Sequence, residues 1–299
     1  MTRSCLISRA SAWLAVLLLG LAGFLEAMAV DLQAAEPPAV AGTIYPLYDM
    51  IRVVGGAHVA AKVILPPGAS PHLFEFSPRQ LEGLRHVKAI FAIGHGLDDW
   101  ATQVATVAPG VRIIIVDRGI PLRTFEDGTT DPHYWLHLGN ARRIAETIAT
   151  GLSDIDPANA AAYRAAAEAY QRQLSDEERR LMAVLAPARG MPILTFHDAW
   201  YYFADEFGLT IAGTFEPAAG QEPTPRYLAS LQRTIARERI RILFIEPQMS
   251  SGVVRSFAED NHLGIAVLDP LEGGEGRSTY LDLMAYNANV IRRALQPSH

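Results

Sequence analysis

Short apolar runs recur along the chain, and helical patterns of apolar and polar residues lie between them. The runs are rich in β-branched residues and have the length of buried strands. In the first half they predict strands at Val40–Ile44, Val59–Leu65, Ala89–Ile93 and Val111–Val116. In the second half they predict strands at Pro192–Phe196, Thr210–Thr214, Ile242–Glu246 and Ile265–Leu268.

The segments between these runs predict helices. In the first half they lie at Pro46–Val54, Arg79–His86 and Asp98–Val107. In the second half they lie at Ala199–Phe207, Pro225–Arg239, Gly252–His262 and Thr279–Leu295. Strands that alternate with helices are typical of βαβ units. The pattern therefore predicts an α/β protein with two lobes, each a mainly parallel sheet flanked by helices.

One long helix is predicted between the two lobes. Asp156 and Pro157 suit a helix start, and the stretch Ala158–Leu185 is rich in the best helix formers. Its 28 residues span about 42 Å at the usual rise per residue. A helical hairpin broken near Ser175 is the alternative. The predicted domains are a first lobe at 36–155, a rigid linker helix at 156–187 and a second lobe at 188–299.

The start of the chain has the features of a signal peptide. Arg3 and Arg9 precede the uncharged run Ala12–Leu25, which is short for a membrane span of about 20 residues. Small residues offer cleavage sites after Ala29 or Ala35. A membrane anchor is the alternative. A signal peptide without a twin-arginine pair predicts export by the general secretory route.

Composition narrows the function classes further. Of 299 residues, 49% are hydrophobic and 19% are charged, with a net charge of −6 and no basic block. Disorder and a nucleic-acid surface are therefore not expected. The single cysteine, Cys5, lies before the apolar run, which argues against a lipoprotein. A mature chain without a thiol can bind metal only through nitrogen and oxygen atoms.

Four residues are candidates for such a site. His72 and His133 lie in loops, whereas His197 and Asp269 directly follow predicted strands. Ligands of parallel sheets bind outside the carboxyl ends of the strands. The predicted strands alone therefore place His197 and Asp269 at the ligand-binding edge of the second sheet.

Several motifs resemble one family. They are Pro-His-Leu-Phe-Glu-x-Ser-Pro at 71–78, Asp-Pro-His-Tyr-Trp-Leu at 131–136, Thr-Phe-His-Asp-Ala-Trp-Tyr-Tyr-Phe at 195–203, Glu-Pro-Gln-Met-Ser-Ser at 246–251 and Leu-Asp-Pro-Leu at 268–271. With the late spacing of Tyr280, Met284 and Asn287, they resemble the periplasmic zinc/manganese solute-binding proteins of ABC importers, the TroA-like family. The resemblance runs from about Gly42 to Leu295 and implies a metal held between two lobes that one long helix joins.

By position, the resemblance implies the metal ligands His72, His133, His197 and Asp269, two from each lobe. Three imidazoles and one carboxylate suit Zn²⁺, although Mn²⁺ is possible. Manganese-type members of the family often carry Glu at the position of His197, which favours zinc here. The resemblance also implies a monomer that is not an enzyme and that delivers the metal to an ABC permease with its ATPase.

Other residues leave alternatives open. The loop Arg118–Thr130 has no histidine, although zinc-type members often carry a histidine-rich loop there. His95 and His137 are further candidates for a role at the site. A secreted zinc hydrolase, with Asp269 or Glu75 as general base, and a metal-buffering protein without a transporter are the other functional classes.

Overall fold

The fold is that of a computed structural model, which describes residues 36–217, 220–248, 252–271 and 276–295. The first sheet consists of β1 (Ala39–Gly42), β2 (Ala60–Val63), β3 (Ala89–Ala92) and β4 (Arg112–Ile115). These strands lie in the order β2-β1-β3-β4, and every pair is parallel. The predicted strands of the first half are therefore confirmed, with ends that differ by one or two residues.

The second sheet repeats this arrangement. It consists of β5 (Pro192–Thr195), β6 (Thr210–Thr214), β7 (Ile242–Ile245) and β8 (Gly264–Val267), in the order β6-β5-β7-β8 and again all parallel. The strand order reverses between β1 and β3 in the first sheet and between β5 and β7 in the second. Parallel sheets bind ligands at the carboxyl ends of such a pair, so the β5–β7 edge is a ligand-binding position.

Helices surround the two sheets. Those of the first half are α1 (Tyr45–Gly55), α2 (Pro78–Glu82) and α3 (Leu138–Ile155). The long α4 (Ala160–Leu185) follows, and then α5 (Tyr201–Phe207), α6 (Pro225–Glu238), α7 (Gly252–Asp260) and α8 (Tyr280–Leu295). The two-lobed α/β fold predicted from the sequence is confirmed.

The sequence analysis assigned no element to α3, although its apolar residues have helical spacing. Leu138, Ala141, Ile144, Ile148 and Leu152 all lie on its buried face. Two predicted helices differ in form: residues 79–86 contain only the short α2, and residues 99–106 form a 3₁₀ helix. Such differences at short elements are expected, because tertiary contacts decide them.

The long helix is continuous from Ala160 to Leu185, preceded by one 3₁₀ turn at Pro157–Asn159. The alternative of a hairpin broken near Ser175 is therefore wrong. The helix packs against α1, α3, α5 and α8, and its fully buried Leu174 and Leu181 lie in a core that includes residues of both lobes. It is thus a structural strut as well as a connection.

The predicted signal peptide and its cleavage sites lie outside the described residues. Within the described part of the chain, no helix combines the length and the apolar character that crossing a membrane requires. The domain boundaries at 155 and 187 stay a prediction, since residues 38–299 cluster as one unit.

Candidate metal site

Three of the four predicted ligands lie together. The Nε2 atom of His133 is 3.2 Å from that of His72 and 3.4 Å from that of His197. All three histidines offer ligand atoms within 4.8 Å of one another. Two nitrogens bound tetrahedrally to one zinc ion at the usual bond length are about 3.3 Å apart. The spacing is therefore that of three nitrogen ligands around a single metal ion.

His72 is held in place by the loop that follows β2. It lies in the 3₁₀ turn Pro71–Leu73, and the Trp100 indole donates a hydrogen bond of 3.0 Å to the carbonyl of Pro71. Phe74 packs edge-on against the same indole, with ring centroids 4.7 Å apart. These contacts fix a loop that is otherwise irregular, so His72 is directed toward the other two rings.

His133 is oriented by Asp131, a fully buried carboxylate two residues earlier. Oδ1 of Asp131 accepts the backbone N–H of His133 at 3.0 Å and lies 2.9 Å from its ring Nδ1. An acceptor at Nδ1 places the proton there and leaves the Nε2 lone pair facing the cluster. Arg123 pairs with the other oxygen of Asp131 at 3.4 Å. A carboxylate behind a histidine is the usual support of a metal ligand.

His197 is oriented in the same way by Glu246. It follows β5, while Glu246 directly follows β7, so the two meet where the strand order reverses. Oε1 of Glu246 lies 2.7 Å from Nδ1 of His197 and accepts the indole N–H of Trp200 at 3.0 Å. The Thr195 hydroxyl donates to the carbonyl of His197 at 3.0 Å. Nε2 of His197 is therefore the atom available to a metal.

The electrostatics differ among the three rings. Burial, together with the neighbouring histidines, lowers the pKa of His72 to about 2. Burial likewise holds the pKa of His133 well below its usual value. Burial opposes a charge on His197 as well, but the Glu246 carboxylate outweighs it, and the pKa of His197 is raised. Burial thus favours the neutral, metal-binding form of His72 and His133, whereas Glu246 favours the charged form of His197, so a metal competes with a proton there.

The space around the histidines has two parts. A cavity of about 10 Å³ touches all three rings together with Trp135, Gln248 and Leu271. That volume is roughly what one water molecule needs. A much larger open cleft of about 620 Å³ lies on the other side of His72 and His133. The small cavity has room for an ion among the three rings, and His72 and His133 line both the cavity and the cleft.

Asp269, the fourth predicted ligand, lies beside this cavity but outside the group of three. It follows β8, is fully buried, and its Oδ1 accepts the backbone N–H of Leu271 at 3.0 Å. The Gln248 amide, which borders the small cavity, is 3.5 Å from the same oxygen. Arg277 Nε is 3.3 Å from Oδ2. The role of Asp269 as a ligand therefore stays a prediction.

The other sequence candidates lie away from the cluster. Nε2 of His95 is 2.9 Å from Asp117, on the wall of the large cleft. His137 caps α3 by accepting the backbone N–H of Gly139 at 3.0 Å. Glu75 is exposed on the loop after His72. None of the three belongs to the group of ligand atoms found among the described residues.

Sequence reasoning did not identify Asp131 and Glu246, the two carboxylates that orient the ligands. Both carried a signal in the sequence. Asp131 precedes His133 by two residues, and Glu246 ends the predicted strand that lies beside the strand before His197. Which loop side chains face each other depends on strand order, which the sequence analysis had not predicted.

Comparisons with known proteins place the chain among metal-binding relatives. The model of the family described as "Zinc-uptake complex component A periplasmic" matches residues 40–294. The chain is similar to the high-affinity zinc uptake system protein ZnuA of Brucella abortus, with 24% identity over 91% of this chain and 96% of that protein. It is also similar to the manganese-binding lipoprotein MntA of Halalkalibacterium halodurans, with 25% identity over 82% of this chain and 84% of that protein.

A solved structure shows the same architecture. The crystal structure of a ZnuA aligns with a TM-score of 0.78 and 28% sequence identity, over 86% of this chain and 99% of that chain. The similarity therefore covers both sheets and the long helix between them.

Proposed function

Because this chain belongs to the family of the periplasmic zinc-uptake complex component A, we propose that it captures a divalent transition metal outside the cytoplasm. The metal is Zn²⁺, and the protein delivers it to the membrane permease of an ABC importer, which works with an ATPase. The alternative within the same family is a manganese-type binding protein, as the similarity to MntA illustrates.

The spacing of the three histidine Nε2 atoms is the observation that carries this proposal. Separations of 3.2 and 3.4 Å match two edges of a tetrahedral nitrogen set, about 3.3 Å. Asp131 and Glu246 each direct one Nε2 atom toward the same point. Imidazole ligands suit zinc better than manganese, which prefers carboxylate oxygen.

We assign the fourth position to Asp269. Its carboxylate lies behind Gln248 and Leu271, which border the small cavity. The complete set is then His72, His133, His197 and Asp269, with a net ligand charge of −1 against the +2 of the ion.

A closed set of four ligands favours binding over catalysis, since catalytic zinc sites usually keep one position for water. The hydrolase alternative needs a general base facing the metal. Glu75 is exposed and Asp269 is paired with Arg277, so neither is placed for that role. We therefore propose a monomeric binding protein that is not an enzyme. Its signal peptide is removed after Ala29 or Ala35, and its ligands come from the lobes at 36–155 and 188–299.

The direct test is a competition titration of the metal-free mature protein with zinc and, separately, with manganese. We expect one zinc ion per chain, bound more tightly than manganese. Replacing any one of the four ligands by alanine weakens zinc binding by more than about 100-fold, the upper range for residues that only support a ligand. His86→Ala, an exposed histidine of the same lobe, serves as the matched control.

Unchanged zinc affinity in the variants of His72, His133 and His197 would contradict the site itself. Unchanged affinity in Asp269→Ala alone would leave the three-histidine site standing and remove Asp269 from it. Tighter binding of manganese than of zinc would favour the manganese-type alternative.

A further inference from the structure

Asp269 is held in one place by its surroundings. The Asn287 amide accepts the backbone N–H of Asp269 at 2.8 Å and donates to its carbonyl at 2.7 Å. The backbone N–H of Leu271 donates to the side-chain Oδ1 at 3.0 Å. The carboxylate itself has no exposure to solvent. A buried carboxylate in such a position strongly favours a nearby positive charge.

Arg277 supplies a positive charge at this carboxylate. Its Nε atom is 3.3 Å from Oδ2 of Asp269, which is longer than the usual charge-assisted hydrogen bond of about 2.7–2.9 Å. The guanidinium also lies over the ring of Tyr286, 4.7 Å from the ring centroid. The arginine side chain is 19% exposed, whereas the carboxylate is not exposed at all. Arg277 can therefore keep its contact with Tyr286 and turn toward solvent when its guanidinium leaves Asp269.

Arg277 and a bound metal cannot both use this carboxylate fully. Oδ1 of Asp269 already accepts the backbone N–H of Leu271 and Oδ2 faces Arg277, so a metal that binds Oδ2 takes the place of the guanidinium. An arginine kept in the ion pair would add a further positive charge beside a buried cation, where attraction and repulsion are weakly screened. The metal and the guanidinium must therefore compete for Asp269.

We propose that Arg277 is an internal counter-ion which the incoming metal displaces from Asp269. This inference rests on the proposed function and deepens it. In the metal-free protein Arg277 neutralises the buried carboxylate and holds it beside the cavity. When the metal binds, Asp269 transfers to the metal, and the guanidinium moves toward solvent over Tyr286. The exchange lowers the affinity below what the four ligands alone would give, and this eases release of the metal to a permease.

The variant Arg277→Gln separates this role from a merely structural one. Without the arginine, the metal-free protein has a buried carboxylate that has lost a cationic partner, whereas the metal-bound protein loses little. We expect the melting temperature of the metal-free variant to fall and that of the zinc-saturated variant to stay near the wild-type value. Competition titration should show zinc affinity rising roughly tenfold, which corresponds to less than the full interaction energy of a buried ion pair.

Arg293→Gln, an exposed arginine on α8, is the matched control and should change neither melting temperature nor affinity. A double-mutant cycle that combines Arg277→Gln with Asp269→Asn provides a second test. In the Asp269→Asn background there is no carboxylate to compete for, so Arg277→Gln should raise zinc affinity by a clearly smaller factor than in the wild type. If Arg277→Gln does not fold, Arg277→Lys replaces it, because a shorter and more strongly hydrated cation should compete less and raise zinc affinity by a smaller factor.

Unchanged or weaker zinc affinity, with equal losses in both melting temperatures, would overturn the proposal and leave Arg277 as a structural ion pair. A rise of the same size in the Asp269→Asn background would also overturn it. Failure of the wild-type protein to bind zinc or manganese would instead contradict the proposed function. The two failures are therefore distinguishable in one set of titrations.

Discussion

Replacing Glu246 by glutamine removes a charge behind His197 with little change in shape. Oε1 of Glu246 lies 2.7 Å from Nδ1 of His197 and accepts the indole N–H of Trp200 at 3.0 Å. A glutamine carbonyl in the same place keeps both contacts. The variant therefore isolates the contribution of the negative charge to metal binding.

Two effects of Glu246→Gln oppose each other as pH changes. Loss of the carboxylate makes the imidazole a weaker ligand, and such changes typically cost 10–100-fold in metal affinity. That is about 1.4–2.7 kcal/mol. The same carboxylate raises the pKa of His197, so in the wild type a proton competes with the metal up to a higher pH. Without the Glu246 carboxylate, burial lowers the pKa of His197, and the proton competes less with the metal.

We therefore expect Glu246→Gln to bind zinc about 10–100-fold more weakly than the wild type at about pH 8.5. The difference between the two zinc affinities should become smaller toward about pH 6. Competition titrations at several pH values measure both features, and near-ultraviolet circular dichroism of Trp200 reports whether the site is intact. Glu259→Gln, an exposed carboxylate on α7, is the control. Equal affinity and an equal pH slope in variant and wild type would refute the role of Glu246.

Three further predictions follow from the same structure. Of the three ligand histidines, only His197 has a raised pKa, so wild-type zinc affinity should be flat above that pKa and fall about tenfold per pH unit below it; titrations with a slope of three protons would contradict this. The continuous helix Ala160–Leu185 contains no Gly or Pro at which it could bend sharply, so the lobes should rotate little on zinc binding. Small-angle scattering should then show a change in radius of gyration below about 1 Å, less than the helix rise of about 1.5 Å per residue. Leu181→Ala on that helix should lower the free energy of unfolding by about 2–5 kcal/mol in denaturant titrations, because the side chain is fully buried.

Both sheets could be predicted from the sequence because their strands are short apolar runs. The residues that follow such runs could be placed as well, which is why His197 and Asp269 were assigned to the edge where ligands bind. His72 and His133 lie in irregular loops, where no periodic pattern applies. Only the resemblance to a known family identified them as ligands, and the structure places both beside His197.

The supporting residues could not be predicted because they depend on which loops meet. Glu246 faces His197 only because β7 lies next to β5, a neighbour two strands later in the chain. Arg277 lies eight residues after Asp269 in the chain, and no pattern in the sequence indicates that their side chains pair. α3 was missed although its apolar residues, from Leu138 to Leu152, have helical spacing in the sequence. Local sequence patterns thus predict the strands and helices, whereas the side-chain pairs depend on the tertiary structure.

X-ray absorption at the zinc edge of the metal-loaded protein tests the central claim most directly. We predict a shell of three imidazole nitrogens and one carboxylate oxygen at about 2.0–2.1 Å, which loses one imidazole in His133→Ala. A shell made mainly of water oxygens, or one unchanged by His133→Ala, would show that the metal does not bind between these histidines.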